Sequence, residues 1–185
     1  MADEFYAKPP FTLNEGEKIV TSIKPIWKGY FLRYSLGHMI FAAIIGIWIG
    51  VYALRFGVGW FAAVFLGLFA AITLLSVAMA KISYGKFTVW LTDHRVVSAK
   101  GTIGYNIESM PLENIVDVVV SRGILDRILG LSSVMPVPMG GMVMYGRRSG
   151  LSTVGFIPAL HPDDALKIQK ELFDLRNLRK KDLKE

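Results

Sequence analysis

"KFTVWLTDHRVVSAKG", Lys86 to Gly101, decides how the second half of this chain folds. Lys86–Thr92 and, in part, Arg95–Lys100 are rich in β-branched and aromatic residues, the composition of paired strands. Between them stand Asp93 and His94, two residue types that tolerate left-handed backbone angles better than most, as a tight hairpin demands. An Asp carboxylate can also bond its own backbone and close such a turn. Thr92, Asp93, His94 and Arg95 have a second possible meaning, since carboxylate, imidazole, guanidinium and hydroxyl together suggest an active site. The corner reading is preferred, and His94→Ala is expected to leave any activity largely intact.

Downstream the pattern stays strand-like. "YNIESMP" (Tyr105–Pro111) places Ile107 and Met110 near strand ends, and "IVDVVVSR" (Ile115–Arg122) is a clear strand. "GILDRILG" has Ile124, Leu125, Ile128 and Leu129 at helical spacing between glycines and reads as a short helical turn. Three weaker strands are expected at "SVMPVPM", "GMVMYG" and "LSTVGFI". The chain then closes on a helix, with His161 as N-cap, Pro162 first, and Asp163 and Asp164 at the positive end of its dipole. Ala165, Ile168, Leu172 and Leu175 form one apolar stripe that must be buried. Arg176, Arg179, Lys180 and Lys181 complement its other end.

Upstream the composition is different. The chain is 52% hydrophobic with a mean hydropathy of +0.42, above what an ordinary soluble domain carries. Between Tyr34 and Ala80 the only ionisable basic or acidic residues are His38 and Arg55. The runs on either side of Arg55, 35–54 and 58–80, each match the ~20 residues a helix needs to cross a bilayer. The first run starts too deep in the chain for a cleaved signal peptide. Lys24, Lys28, Arg33, Lys81 and Lys86 flank the pair while the connecting turn holds only Arg55, so both termini are expected in the cytoplasm. The expected layout is a cytoplasmic segment 1–33, a transmembrane hairpin 34–80 and a cytoplasmic domain 81–185.

Small residues recur every fourth position: Ala42, Gly46 and Gly50 on the first helix, and Gly59, Ala63, Gly67 and Ala71 on the second. Such ladders let backbones approach where lipid supplies no hydrophobic drive. They are expected to pack the hairpin, with a second protomer or partner subunit as the alternative. His38 shares the spacing of Ala42 and Gly46, so it is expected on that face as a structural histidine, because a proton relay would need intramembrane acids or bases that are missing. Trp27, Tyr30, Trp48 and Trp60 near helix ends are expected to anchor at headgroup depth.

A run of short strands closed by one amphipathic helix is the order of a pleckstrin-homology-like barrel. "FTVWLTDHRVVSAKGTIGYNIESMPLENIVDVVVSRGILDRILGLSSVMPV" resembles the bacterial pleckstrin-homology-like family of membrane-anchored proteins. "GFIPALHPDDALKIQKEL" continues the likeness, and "LNEGEKIVTSIKPIWKGYF" resembles the segment preceding the membrane hairpin there. "MGGMVMYGRRSGLSTV" departs from it. The resemblance implies a membrane-tethered binding or scaffolding module of the prokaryotic inner membrane without enzyme activity. The expected fold is a two-helix transmembrane hairpin plus a mainly-β barrel of about seven strands capped by the C-terminal helix.

Other chemistries find little support. No cysteine is present, which excludes disulfides and thiolate sites, and the three histidines have no metal-ligand spacing. No metal or cofactor is expected. "GMVMYGRRS" (Gly141–Ser149) has the spacing of a phosphate-binding loop but lacks its Lys-Ser/Thr pair and the following helix. It reads as a basic hairpin tip, solvated or contacting anionic lipid. Arg147, Arg148, Lys81 and Lys86 are the headgroup candidates, consistent with a net charge of +6. Met135, Met139, Met142 and Met144 lie just before or beside that tip and could serve a partner or the core. Nucleic acid is not expected. A protein partner or homo-oligomer is, and an accessory role in a larger membrane complex is the rival.

Overall fold

The structure, a computed structural model, describes residues 9–139 and 154–182. They form two compact units: one runs up to Gly29 and resumes at Lys86, the other is Tyr30–Gly85. The expected segments 1–33 and 81–185 therefore contribute to one unit, with the helices inserted between them.

Strand β1 (Ile19–Ile23) precedes the insertion. Helix α1 (Trp27–Ala53), a 3-10 turn (Leu54–Phe56) and helix α2 (Val58–Lys86) make up the insertion, and β2 (Thr88–Thr92) follows. β1 pairs antiparallel with β2, Ile23 opposite Val89, so a stretch of more than sixty residues connects two neighbouring strands. β3 (Arg95–Lys100) and β4 (Asn106–Pro111) complete a four-stranded sheet in the order β1-β2-β3-β4. β5 (Ile115–Ser121), β6 (Ser132–Pro138) and β7 (Ile157–Leu160) form a second antiparallel sheet, with α3 (Ile124–Leu129) between β5 and β6. Helix α4 (Pro162–Asp182) ends the described chain.

Among the described residues the expected barrel is instead two sheets that no ladder closes. Pro111 ends β4 without an N–H to donate, and a 3-10 turn at Leu112–Asn114 redirects the chain. The corner is held by single bonds, Leu112 N–H to His94 O and Met139 N–H to Asn114 O. On the other seam Ile26 N–H donates to Ala159 O at 2.8 Å. Seven strands are present among the described residues, but one comes from before the helices. Of the strand expected at "LSTVGFI", residues 151–153 lie outside the described residues; Val154 and Gly155 form a turn, Gly155 with φ 76°, and β7 begins at Ile157. "GMVMYG" lies outside the described residues.

β2 and β3 are buried on both faces, which accounts for their continuous apolar character. One face carries Val89, Leu91 and Val96 into the core. The other carries Trp90, Val97 and Ala99 beneath Phe11 and Ile19 of the N-terminal segment. Phe11 meets Trp90 edge-on at 5.5 Å. α4 starts as the sequence suggests: Ala165 N–H bonds to His161 O, and Ala165, Ile168 and Leu172 are buried while Leu175 is half-buried. It lies on the second sheet, where Gln169 Nε2 donates to Val118 O at 2.6 Å.

Candidate functional site

The four-stranded sheet has two distinct ends. At one, the β2–β3 turn brings Thr92, Asp93, His94 and Arg95 against the N-terminal segment. Glu17 is enclosed there, its side chain at 0% exposure. Its Oε1 accepts from Thr92 Oγ1 (2.7 Å) and Arg95 Nε (2.8 Å), and its Oε2 from Arg95 Nη2 (2.9 Å) and Asn14 N–H (2.9 Å). Arg95 Nη2 also reaches Thr12 O, and its guanidinium lies over the Phe11 ring at 5.6 Å. Burial alone would raise the Glu17 pKa; the donors from Arg95, Asn14 and Thr92 outweigh it and hold the carboxyl below its ordinary 4.5.

The Asp93 carboxylate meets its own backbone, as the sequence suggested, and also reaches beyond the turn. Its Oδ1 accepts from Lys18 N–H and lies 2.8 Å from His94 Nδ1, while Asp93 N–H donates to Lys18 O. The turn is closed by Thr92, whose hydroxyl oxygen accepts from Arg95 N–H at 2.9 Å. Among the described residues the only non-glycine with positive φ is Ala159, so the expected left-handed corner at Asp93 and His94 is absent. Burial pushes the Asp93 carboxyl up, but His94 and the Lys18 amide bring it below 3.8. The Glu17 carboxylate is met by donors on both oxygens, and these bonds make a clasp between residues 12–18 and 92–95.

The opposite end of the sheet carries the helix roots. α2 delivers Lys86, whose Nζ donates to Thr102 O (2.8 Å) and Ile103 O (3.3 Å) of the β3–β4 loop. That leaves Lys86 one ammonium proton for a phosphate; Lys81 is exposed. Arg147, Arg148, Met142 and Met144 lie outside the described residues. Met135 is half-buried in β6 and Met139 exposed just beyond it.

In the helical unit the two ladders part company. Ala42, Gly46 and Gly50 are buried, and a methyl on Gly46 or Gly50 would press into Phe65 or Phe61. Gly59, Ala63, Gly67 and Ala71 are exposed, and nothing lies within 4 Å of where a methyl on Gly59 or Gly67 would sit. His38 is also exposed, stacked on Tyr34 with Nδ1 3.0 Å from Tyr34 O, and so is off the buried ladder where it was expected. Its neighbours on the face, Ser35 and Ala42, take the buried positions because a helix turns about 100° per residue and four residues overshoot one turn. Tyr30 is buried with its Oη 2.7 Å from Ser83 Oγ, not an exposed belt residue, while Trp48 and Trp60 are 68% and 64% exposed.

The family model described as Bacterial PH domain matches residues 31–176. The chain belongs to the Bacterial PH domain family. The match begins inside α1 and ends inside α4, so the helical insertion is part of this bacterial PH domain, whereas β1 and the Glu17 side of the clasp precede it. The family is of a non-catalytic binding-module type. No curated protein and no solved structure matches the chain. Among the described residues no three His, Cys, Asp or Glu side chains group as metal ligands.

Proposed function

We propose that this chain is an integral membrane protein that holds a non-enzymatic PH-like domain at the cytoplasmic membrane face and presents it as a scaffold to a protein partner. One observation carries the reading. Two helices long and apolar enough to cross a membrane are spliced between the paired strands β1 and β2. A core helix of a soluble protein would be mostly covered, yet only 22% and 6% of their apolar windows are buried. The helices connect to neighbouring strands of one sheet at both ends, so two connections rather than one join them to the domain. Basic residues at the roots and a lone Arg55 at the far turn favour a cytoplasmic domain. A green fluorescent protein that matures only in the cytoplasm, fused after Glu185, should fluoresce. A dark fusion cleaved by protease added outside the cells would sink the topology.

A second reading, an accessory subunit of a larger membrane complex, is favoured by the exposed ladder on α2. Cross-linking in native membranes, followed by identification of neighbours, should then find one membrane partner. Ala63→Leu and Gly67→Leu should abolish that cross-link while Gly37→Leu keeps it. Equal yields from all three would refute the ladder as the contact.

A further inference from the structure

The three most exposed large apolar side chains of the described domain are Ile103 (88%), Ile124 (81%) and Ile128 (74%). They come from two separate segments, the β3–β4 loop and α3. Both segments lie at the end of the domain from which the helices leave. In the first sheet this follows from register: Ile23 pairs with Val89, Thr88 with Ala99, and Lys100 with Asn106, so the β3–β4 loop shares an end with the helical insertion. Lys86, the last residue of α2, then bonds to the carbonyls of Thr102 and Ile103.

In the second sheet Ser121 pairs with Ser133 and Ser132 with Leu160, which puts α3 beside the end of β7. There Ile26 donates to Ala159 O, and a methyl on Gly29, in the first turn of α1, would overlap Leu131 and Ala159. Leu131 follows α3 after its C-cap, Gly130. The two isoleucine-bearing segments are thus each tied to a different helix root.

The loop is built to hold its isoleucine out. Gly101 has φ 155°, and any side chain there would collide with the Gly104 carbonyl. The loop closes on itself, Lys86 pins its tip, and Tyr105 and Ile107 beside it are also exposed. α3 hides Asp126, which accepts from Ser133 Oγ, and turns Ile124 and Ile128 outward. Arg127 is exposed within α3, and Lys24 and Lys28 are exposed at the root of α1. Apolar protrusions among cations match an anionic bilayer surface.

We infer that this end of the domain is a bilayer-contacting face, on which the β3–β4 loop and α3 place isoleucines among the lipid headgroups. The inference rests on the proposal that α1 and α2 cross the bilayer. Contact at two separate points fixes the tilt of the domain and directs the clasp end toward the cytoplasm.

The chain has no cysteine, so one label can be placed at a time. Ile103→Cys, Ile128→Cys, Ile44→Cys and Leu178→Cys variants of the full chain, each carrying an environment-sensitive nitrobenzoxadiazole dye, are reconstituted into phosphatidylethanolamine–phosphatidylglycerol vesicles containing lipid spin-labelled near the headgroup. Ile44 reports the span. Leu178 reports the clasp end, since Arg179 beside it bonds Glu113 next to β4's far terminus. The expected result is loss of most emission at Ile103, Ile128 and Ile44 and none at Leu178. Quenching at Ile44 with none at Ile103 and Ile128 overturns the inference and leaves the span standing. No quenching at Ile44 overturns the span, and the inference with it. Equal quenching at Leu178 overturns the orientation.

Discussion

The two ends of the four-stranded sheet satisfy opposite demands. At the clasp end a carboxylate is enclosed and fully engaged: Glu17 alone accepts four hydrogen bonds. At the root end, the largest apolar side chains of two segments are left outside the core, with nothing from the domain covering them. A buried polar group must find partners or destabilise the fold. An exposed isoleucine meets no such demand from the fold, so its use lies elsewhere. The contrast teaches that the motif with the most chemistry in its side chains is spent on joining two segments of the fold, while the plain residues carry the bilayer face inferred above.

The sharpest way to break this contrast is at Arg95. Arg95→Ala leaves the Glu17 carboxylate enclosed without its charge partner, at a cost of roughly 2–3 kcal/mol once the partial exposure of Arg95 is allowed for. Amide exchange across residues 11–23 should then accelerate about 30- to 150-fold in hydrogen-exchange mass spectrometry. Unchanged exchange would demote the clasp to a surface contact. Phe11→Ala comes next: it removes the edge-on contact with Trp90 and the cation over its ring, about 1–2 kcal/mol together. Its readout is faster exchange in β2, with smaller changes in β5.

Acid tests the same end. Glu17 and Asp93 both have folded pKa values below their unfolded ones. Their stabilisation is therefore complete above the unfolded values of 4.5 and 3.8 and is lost as pH falls through the lower folded values. Exchange of residues 11–23, corrected for intrinsic rate, should hold steady from neutrality to near pH 5 and rise below it. In Glu17→Gln most of that acid dependence should vanish, leaving the smaller part from Asp93.

The smallest stability effect is expected at the root end. Ile103→Ser should change the domain's stability by less than about 0.5 kcal/mol, because the side chain has little to lose inside the fold. Thermal melts in detergent micelles should superimpose on those of the unaltered chain. A loss as large as that of Arg95→Ala would mean that Ile103 is packed after all and would erase the distinction between the ends.

Much of this was legible in the chain itself, for physical reasons that differ by element. β3, at Arg95–Lys100, and α4, at Pro162, stand where their composition and capping residues place them, since both signals are local. The small-residue ladders were visible too, but not which of them packs, because either face of an all-apolar helix looks alike in sequence. α3 shows the limit of periodicity. Its four apolar residues at helical spacing marked the short helical turn but not which side is covered: Asp126 is the residue inside and Ile124 and Ile128 are out. A six-residue helix has too few turns to commit its apolar side to the core.

The clasp was half legible. Thr92 to Arg95 drew notice as a cluster, but its partner Glu17 stands more than seventy residues earlier, beyond any local pattern. A carboxylate in "LNEGEK" carries no mark of burial in sequence.

By itself, then, the sequence determined the apolar spans, the run of strands and the closing helix, because each is set by residues a few positions apart. The tertiary structure alone decided that β1 joins the sheet across the helical insertion, that the strands form two sheets, and that Glu17 meets Arg95. Those outcomes depend on contacts between distant segments, and only folding brings the segments together.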